Sequence, residues 1–185
     1  SLSPCDQHGV RRFRPRLAPV KLCKVRSMTI LMTERLTLRP LLPADTEAYA
    51  AMRSHPAVAK WLPPPSGDSI ERFARSWEER RYAPWGVFLA GALIGHGGLN
   101  YVPEFGETEV LWALHPDFWG QGYATEVAQA ALDHGFETLG LGLIFAMTLP
   151  DNLASQAVMK RVGLTWRKRV KYKGFDAVWF DKSRD

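Results

Sequence analysis

Beyond Cys23 the sequence has no cysteine, and the only other one is Cys5. Thiol catalysis, a cysteine-ligated zinc site and a disulfide framework are thereby excluded from everything after Met28, and a reducing, cytoplasmic setting fits such a chain. Long apolar runs are missing as well. The longest, from Gly140 to Leu149, is too short and too broken by glycine to cross a bilayer, which takes about 20 apolar residues, so no membrane partner is expected. Positive charge is scarce where a nucleic-acid binder would need it. The formal net charge is +5, yet residues 1–27 hold Arg11, Arg12, Arg14, Arg16, Lys21, Lys24 and Arg26 against Asp6 alone, which leaves the body from Met28 onward close to neutral. No nucleic-acid partner is expected from that distribution.

What is present is enough apolar material for one core. The 185 residues are 46% hydrophobic, which suits a single domain over residues 28–185. Residues 1–27 read as a basic leader that is expected to be disordered, with Pro15 and Pro19 breaking its middle. Its scarcity of acid suits a transit peptide, but it lacks the amphipathic apolar face of one, and an extension upstream of a natural start at Met28 is the preferred reading.

Along the body, Thr33 to Pro40 alternates polar and apolar residues at the period of a half-buried strand. A helix follows over 43–54, with Pro43 in its first turn, and Trp61-Leu62-Pro63-Pro64-Pro65 forms a rigid loop. Asp68 and Glu71 suggest a capping box opening a second helix that ends near Tyr82. Strands are predicted at 85–89 and 93–100, joined around Ala90-Gly91, and again at 108–114. A helix from about Gly122 to Leu139 is closed by Gly140, then come a strand at 143–148 and a helix at 152–162 closed by Gly163. A hairpin over 165–170 and 175–180, turned at Lys173-Gly174, completes the chain. Hairpins together with one β-α-β crossover predict a mixed sheet with helices on its faces, an α+β architecture.

The segment Glu109-Val-Leu-Trp-Ala-Leu-His115-Pro-Asp-Phe-Trp-Gly-Gln-Gly-Tyr-Ala-Thr-Glu126 carries the most chemistry. A strand runs into a glycine-rich turn that opens a helix. The first four N–H groups of a helix have no internal partners and the dipole adds favourable potential, so such a turn is an anion site. Gly120 and Gly122 present no side chain to keep a diphosphate from those amides. Gly-x-Gly alone also suits a plain turn before a helix. A dinucleotide fold is excluded, because it needs a third glycine where Thr125 stands and places the motif after the first strand.

Three segments together resemble the GNAT superfamily of N-acetyltransferases, and within it the RimJ and RimL branch that acetylates ribosomal-protein N-termini. They are Glu34-Arg-Leu-Thr-Leu-Arg-Pro40, His115 to Glu126, and Asn152-Leu-Ala-Ser155-Gln-Ala-Val158 with Val162-Gly163-Leu164. The likeness spans about Thr33 to Phe180. It implies a mixed, mostly antiparallel sheet flanked by helices around a central β-α-β acetyl-CoA-binding unit. Acetyl-CoA would enter a V-shaped gap between the strand ending at Leu114 and the strand from Leu143. Its pantetheine would pair near Ala113 and Leu114, with its diphosphate on Trp119, Gly120, Gln121, Gly122, Tyr123, Ala124 and Thr125. Trp119 departs from the Arg or Gln of the wider superfamily and agrees with the RimJ-like branch. The resemblance also makes Asn152 a cofactor-binding residue and Ser155 both a cofactor contact and the hydroxyl facing the departing thiolate. For these two, helix capping is the alternative.

Acetyl transfer needs a neutral amine, and an α-amine, with a pKa of about 7.7 to 8, loses its proton more readily than a lysine at about 10.4. Glu109, beside the expected thioester, is the candidate base, acting directly or through water; a carboxylate on a strand edge facing water is the alternative. Lys160 and Arg161 are positioned to approach a 3′-phosphate or to remain solvated. His96, His115 and His134 show no ligand spacing, so no metal is expected. The partner is an amine acceptor, either a protein N-terminus or a small molecule, and an exposed edge strand leaves a homodimer open.

Overall fold

The computed structural model describes residues 21–25, 28–63 and 65–184. Nine strands among these residues form one sheet. They are β1 (Lys21–Val25), β2 (Met28–Met32), β3 (Thr37–Pro40), β4 (Pro84–Leu89), β5 (Ala92–Val102), β6 (Glu107–Leu114), β7 (Leu143–Thr148), β8 (Thr165–Tyr172) and β9 (Phe175–Ser183). Their spatial order is β1-β2-β3-β4-β5-β6-β7-β9-β8. Every neighbouring pair is antiparallel except β6 and β7. Five helices accompany them: α1 (Thr46–Ser54), α2 (Pro56–Ala59), α3 (Ser69–Arg80), α4 (Tyr123–Asp133) and α5 (Leu153–Arg161). The α+β class with its mixed, mostly antiparallel sheet is therefore observed, and β6-α4-β7 is the single parallel crossover among the described residues.

Strand alternation divides β6 between the two faces of the sheet. Val110 and Leu114 join Val127 and Leu132 of α4 in the main core. Ala113 instead packs with Tyr49 and Met52 of α1, Val58 of α2 and Ile70 of α3. Glu109 shares parity with Ala113 and so stands on the face opposite α4. A third cluster on that face stacks Trp179 on Phe145 at 3.8 Å, with Val102 beside them.

Several expectations shift in detail. Of the strand expected over 33–40 only 37–40 form one, β3; residues 33–36 are a tight turn after β2, in which the Thr33 N–H donates to the Leu36 carbonyl at 2.9 Å. The alternating pattern continues through that turn because Leu36 and Leu38 are both buried. α2 is an additional short helix, for which His55 Nδ1 accepts from the Ala57 N–H. The capping box at Asp68 does not form a side-chain bond; the first turn of α3 is held instead by the Ser69 hydroxyl donating to the Ser66 carbonyl at 2.7 Å. The helix expected to reach Leu139 is α-helical to Asp133 and widens to a π turn at His134–Thr138. Gly135 sits in that turn, where a Cβ would come within 2.5 Å of Ile144 on β7. Of the leader expected over residues 1–27, Lys21–Val25 form β1; the remainder lies outside the described residues, as does Pro64. No described helix is long and apolar enough to cross a membrane.

Candidate active site

The parallel pair β6 and β7 is hydrogen-bonded only at its start, where Thr108 faces Ile144 and Glu109 faces Phe145. Beyond Glu109 the two strands part. The wedge between them opens into a cavity of about 1700 Å³ that runs from the α1 and β5 side chains, past Glu109, to the turn before α4.

At the far end, Gly120 has φ of +74° and Gly122, the N-cap of α4, has φ of +83°. This left-handed backbone suits glycine and penalises any residue with a Cβ. The turn brings Gly120, Gly122 and the first turn of α4 to the cavity wall, with nothing within 4 Å of where a Gly120 side chain would begin. The loop is pinned before the glycines: Trp119 Nε1 donates to the Leu114 carbonyl at 2.8 Å and the Trp119 N–H donates to the Pro116 carbonyl. Arg161 Nη1 donates to the Thr125 hydroxyl at 2.9 Å, bringing a cation from α5 to the same spot. Lys160 is not among the lining residues.

Most of the residues singled out from sequence come together here. Glu109, Ala113, Leu114, Trp119, Gly120, Gly122, Tyr123, Ala124, Thr125, Asn152 and Ser155 all line the one cavity. Gln121 does not: its side-chain amide turns back to the Asp117 carbonyl at 3.0 Å, and its own carbonyl accepts from Arg35 at 2.9 Å. Asn152 acts as a cap, its Oδ1 accepting from the Ser155 N–H at 3.1 Å, while also facing the wedge.

Two residues given no role from sequence hold the loop in place. Glu126, buried in the first turn of α4, accepts from the Thr33 hydroxyl, from the Arg35 N–H at 2.9 Å and from Arg35 Nε at 2.8 Å. The Arg35 guanidinium also lies 4.3 Å over the Tyr123 ring and reaches the carbonyl side of the turn at Gln121. The β2–β3 turn thus buttresses the helix start, across a separation of 91 residues. Both residues lie in segments quoted for the resemblance, yet nothing in either segment shows that the two meet across 91 residues.

Glu109 is 9% exposed, not a strand-edge carboxylate in water. Burial pushes its carboxyl up to about 8, against the opposing influence of the Asn100 side chain, the Met147 backbone and the Lys173 charge. A carboxyl poised there can exchange a proton with an amine near neutral pH. Among the described residues no group of three or more His, Cys, Asp or Glu is placed to hold a metal ion.

Comparison with known proteins shows the family and the fold. The family model described as "Acetyltransferase (GNAT) domain" matches residues 35–165. A relative named as an uncharacterized N-acetyltransferase, YoaA of Bacillus subtilis (strain 168), is 31% identical over 144 residues, covering 72% of this chain and 81% of its own. Among solved structures, an acetyltransferase from Agrobacterium tumefaciens superposes with a TM-score of 0.75 at 31% identity, over 84% of this chain and 94% of that one. A ribosomal-protein-S5-alanine acetyltransferase from Vibrio fischeri shares the fold with a TM-score of 0.72 at 18% identity, over 84% of this chain and 97% of that one.

Proposed function

The chain belongs to the GNAT acetyltransferase family and is an acyltransferase, and from that premise we propose that it moves acetyl from acetyl-CoA to a primary amine by direct attack, with both substrates bound at once. The observation that carries this reading is the wedge. β6 and β7 separate immediately after Glu109, so a thioester laid along β6 has the buried carboxyl at one end and the amides of Gly120 to Thr125 at the other.

Those amides, the dipole of α4 and the Arg161 charge would hold the diphosphate. The backbone at Ala113 and Leu114 would border the pantetheine, with the Leu114 carbonyl already engaged by Trp119. The amine nitrogen attacks the thioester carbon, Glu109 in its ionised form takes the proton the nitrogen loses, and the Ser155 hydroxyl faces the departing sulfur. The proton balance favours a particular acceptor. A carboxyl near 8 is matched to an α-amine at about 7.7 to 8, whereas taking a proton from a lysine at about 10.4 is uphill by roughly 3 kcal/mol. A protein N-terminus or a small molecule with an amine of similar basicity is therefore the proposed acceptor, and a cytoplasmic setting supplies both.

Calorimetry with acetyl-CoA and a free-thiol assay over a panel of amines test the reading. Binding in the micromolar range with thiol release is expected. Binding without release across the panel would leave only a non-catalytic acyl-CoA sensor, and no binding at millimolar acetyl-CoA would remove the proposal altogether.

A further inference from the structure

The acetyl-transfer reading makes no use of two buried side chains in the same cavity, Arg53 on α1 and His96 on β5. Arg53 is only 9% exposed. Its Nη1 donates to the Tyr49 hydroxyl at 3.1 Å and its Nη2 to the Pro63 carbonyl at 2.6 Å, while its Nε has no partner among the described residues. None of the ion pairs among those residues includes it. A guanidinium stays charged at any physiological pH, and removing one from water without a counter-ion is costly.

His96 is 4% exposed, and its Nδ1 is likewise without a partner among the described residues. Burial, reinforced by the Arg53 charge, holds the imidazole down to about 3, so it is neutral. Tyr49 joins the pair, its ring 5.3 Å from that of His96 and 5.9 Å from the Arg53 guanidinium. Two buried side chains, each with an orphaned polar atom, thus line the acceptor side of a cavity that also holds Glu109.

We propose that Arg53 and His96 form a carboxylate-binding subsite, so that the preferred acceptor carries a carboxylate several bonds away from its amine. This rests on the acetyl-transfer reading and names the acceptor class within it. A carboxylate has only acceptor oxygens. Arg53 Nε–H offers one charge-assisted donor, and neutral His96 with its proton on Nδ1 offers a second. One full positive charge matches the single negative charge of a carboxylate. The spacing selects for length. His96 lies four residues from Asn100, which pairs with Glu109, a span of about 13 Å along the strand before the reach of the side chains is subtracted. An α-amino acid, with one carbon between its two groups, is too short. A peptide N-terminus with an acidic side chain, or a short peptide-like α-amine with a distant carboxylate, reaches across.

The test uses acceptor pairs that differ only at the carboxylate: Ala-β-Ala against Ala-β-Ala-amide, and Ala-Asp-amide against Ala-Asn-amide. Each is titrated by calorimetry into the full chain saturated with CoA. The acid of at least one pair is expected to bind about tenfold more tightly than its amide, and which pair does so separates a terminal carboxylate from an acidic side chain. Arg53→Gln should erase the difference and Arg53→Lys restore part of it, with acetyl-CoA affinity unchanged in both. Equal affinities of acid and amide for the unsubstituted protein, or no binding of either acid, overturn the subsite whether or not the variants fold. Thiol release is measured alongside. Release with equal kcat/KM for acid and amide sinks the subsite and leaves acetyl transfer standing; a retained preference for the acid without release from any amine supports the subsite and sinks the transfer.

Discussion

The two ends of the cavity are built by different means. At the proposed diphosphate end the working groups are backbone amides, beside two glycines with positive φ at the start of α4, and the lining residues lie within one short stretch, Trp119 to Thr125 without Gln121. At the proposed acceptor end the working groups are side chains drawn from α1, β5 and β6, namely Arg53, His96 and Glu109, and all three are buried. The first end recognises something every reaction of the fold shares and uses the groups that every chain has. The second sets chemistry and selectivity, and needs ionisable groups moved out of water so that their proton affinities change.

Substitutions at the two ends should therefore separate kcat from cofactor affinity. The largest effect is expected for Glu109→Gln, which keeps the shape and loses the base. kcat should fall by about 10²–10³-fold, with the acetyl-CoA Kd unchanged by calorimetry. In the unsubstituted protein kcat/KM should rise steeply with pH near 8, since both the carboxyl and the acceptor amine must lose a proton, and the variant should keep only the shallower limb of the amine. The same shift has a sign in stability. The folded state binds a proton that the unfolded state releases from about 4.5 upward, so the stability from neutral Glu109 is full below that value and is lost as pH approaches about 8. Denaturant midpoints across this range should decline for the unsubstituted protein more than for Glu109→Gln.

Next in size is Glu126→Gln, which tests whether the diphosphate end is as local as it looks. The loss of the Arg35 ion pair and weakening of the Thr33 and Arg35 N–H bonds should destabilise the fold by about 2 to 3 kcal/mol in denaturant titrations. A stability change below about 0.5 kcal/mol would mean the buttress is not needed, as for an ordinary exposed ion pair. Gly122→Ala should be smaller and should fall on affinity. A Cβ at φ of +83° costs about 1 to 2 kcal/mol of fold stability and meets the Arg35 guanidinium at 3.4 Å, and where the turn relaxes to relieve that strain the acetyl-CoA Kd should rise while kcat at saturation changes little. If kcat fell instead, the two ends would not be independent.

The strands and helices with strong periodicity, from β4 through β9, were legible from alternation and from the glycines that end them. The β2–β3 turn was not, because Leu36 and Leu38 continue the alternation while the backbone reverses under the pull of Glu126, 91 residues away. The missing side-chain cap at Asp68 and the π turn at His134–Thr138 have similar origins, since local preference gave way to Ser66 in one case and to packing of Gly135 against Ile144 in the other. Gln121 belongs to the motif by position, yet its side chain points to Asp117.

The amino-acid sequence by itself determined the glycine turn that opens α4, because positive φ at glycine and unpaired amides at a helix start are properties of a few consecutive residues. It determined the β-α-β unit for the same reason. Only the tertiary structure decided that β6 and β7 part after Glu109, that this carboxyl is buried enough to sit near 8, and that Arg53 and His96 meet in one cavity. Each of these depends on how much water is excluded by elements distant in the chain, and desolvation is a property of the packed whole.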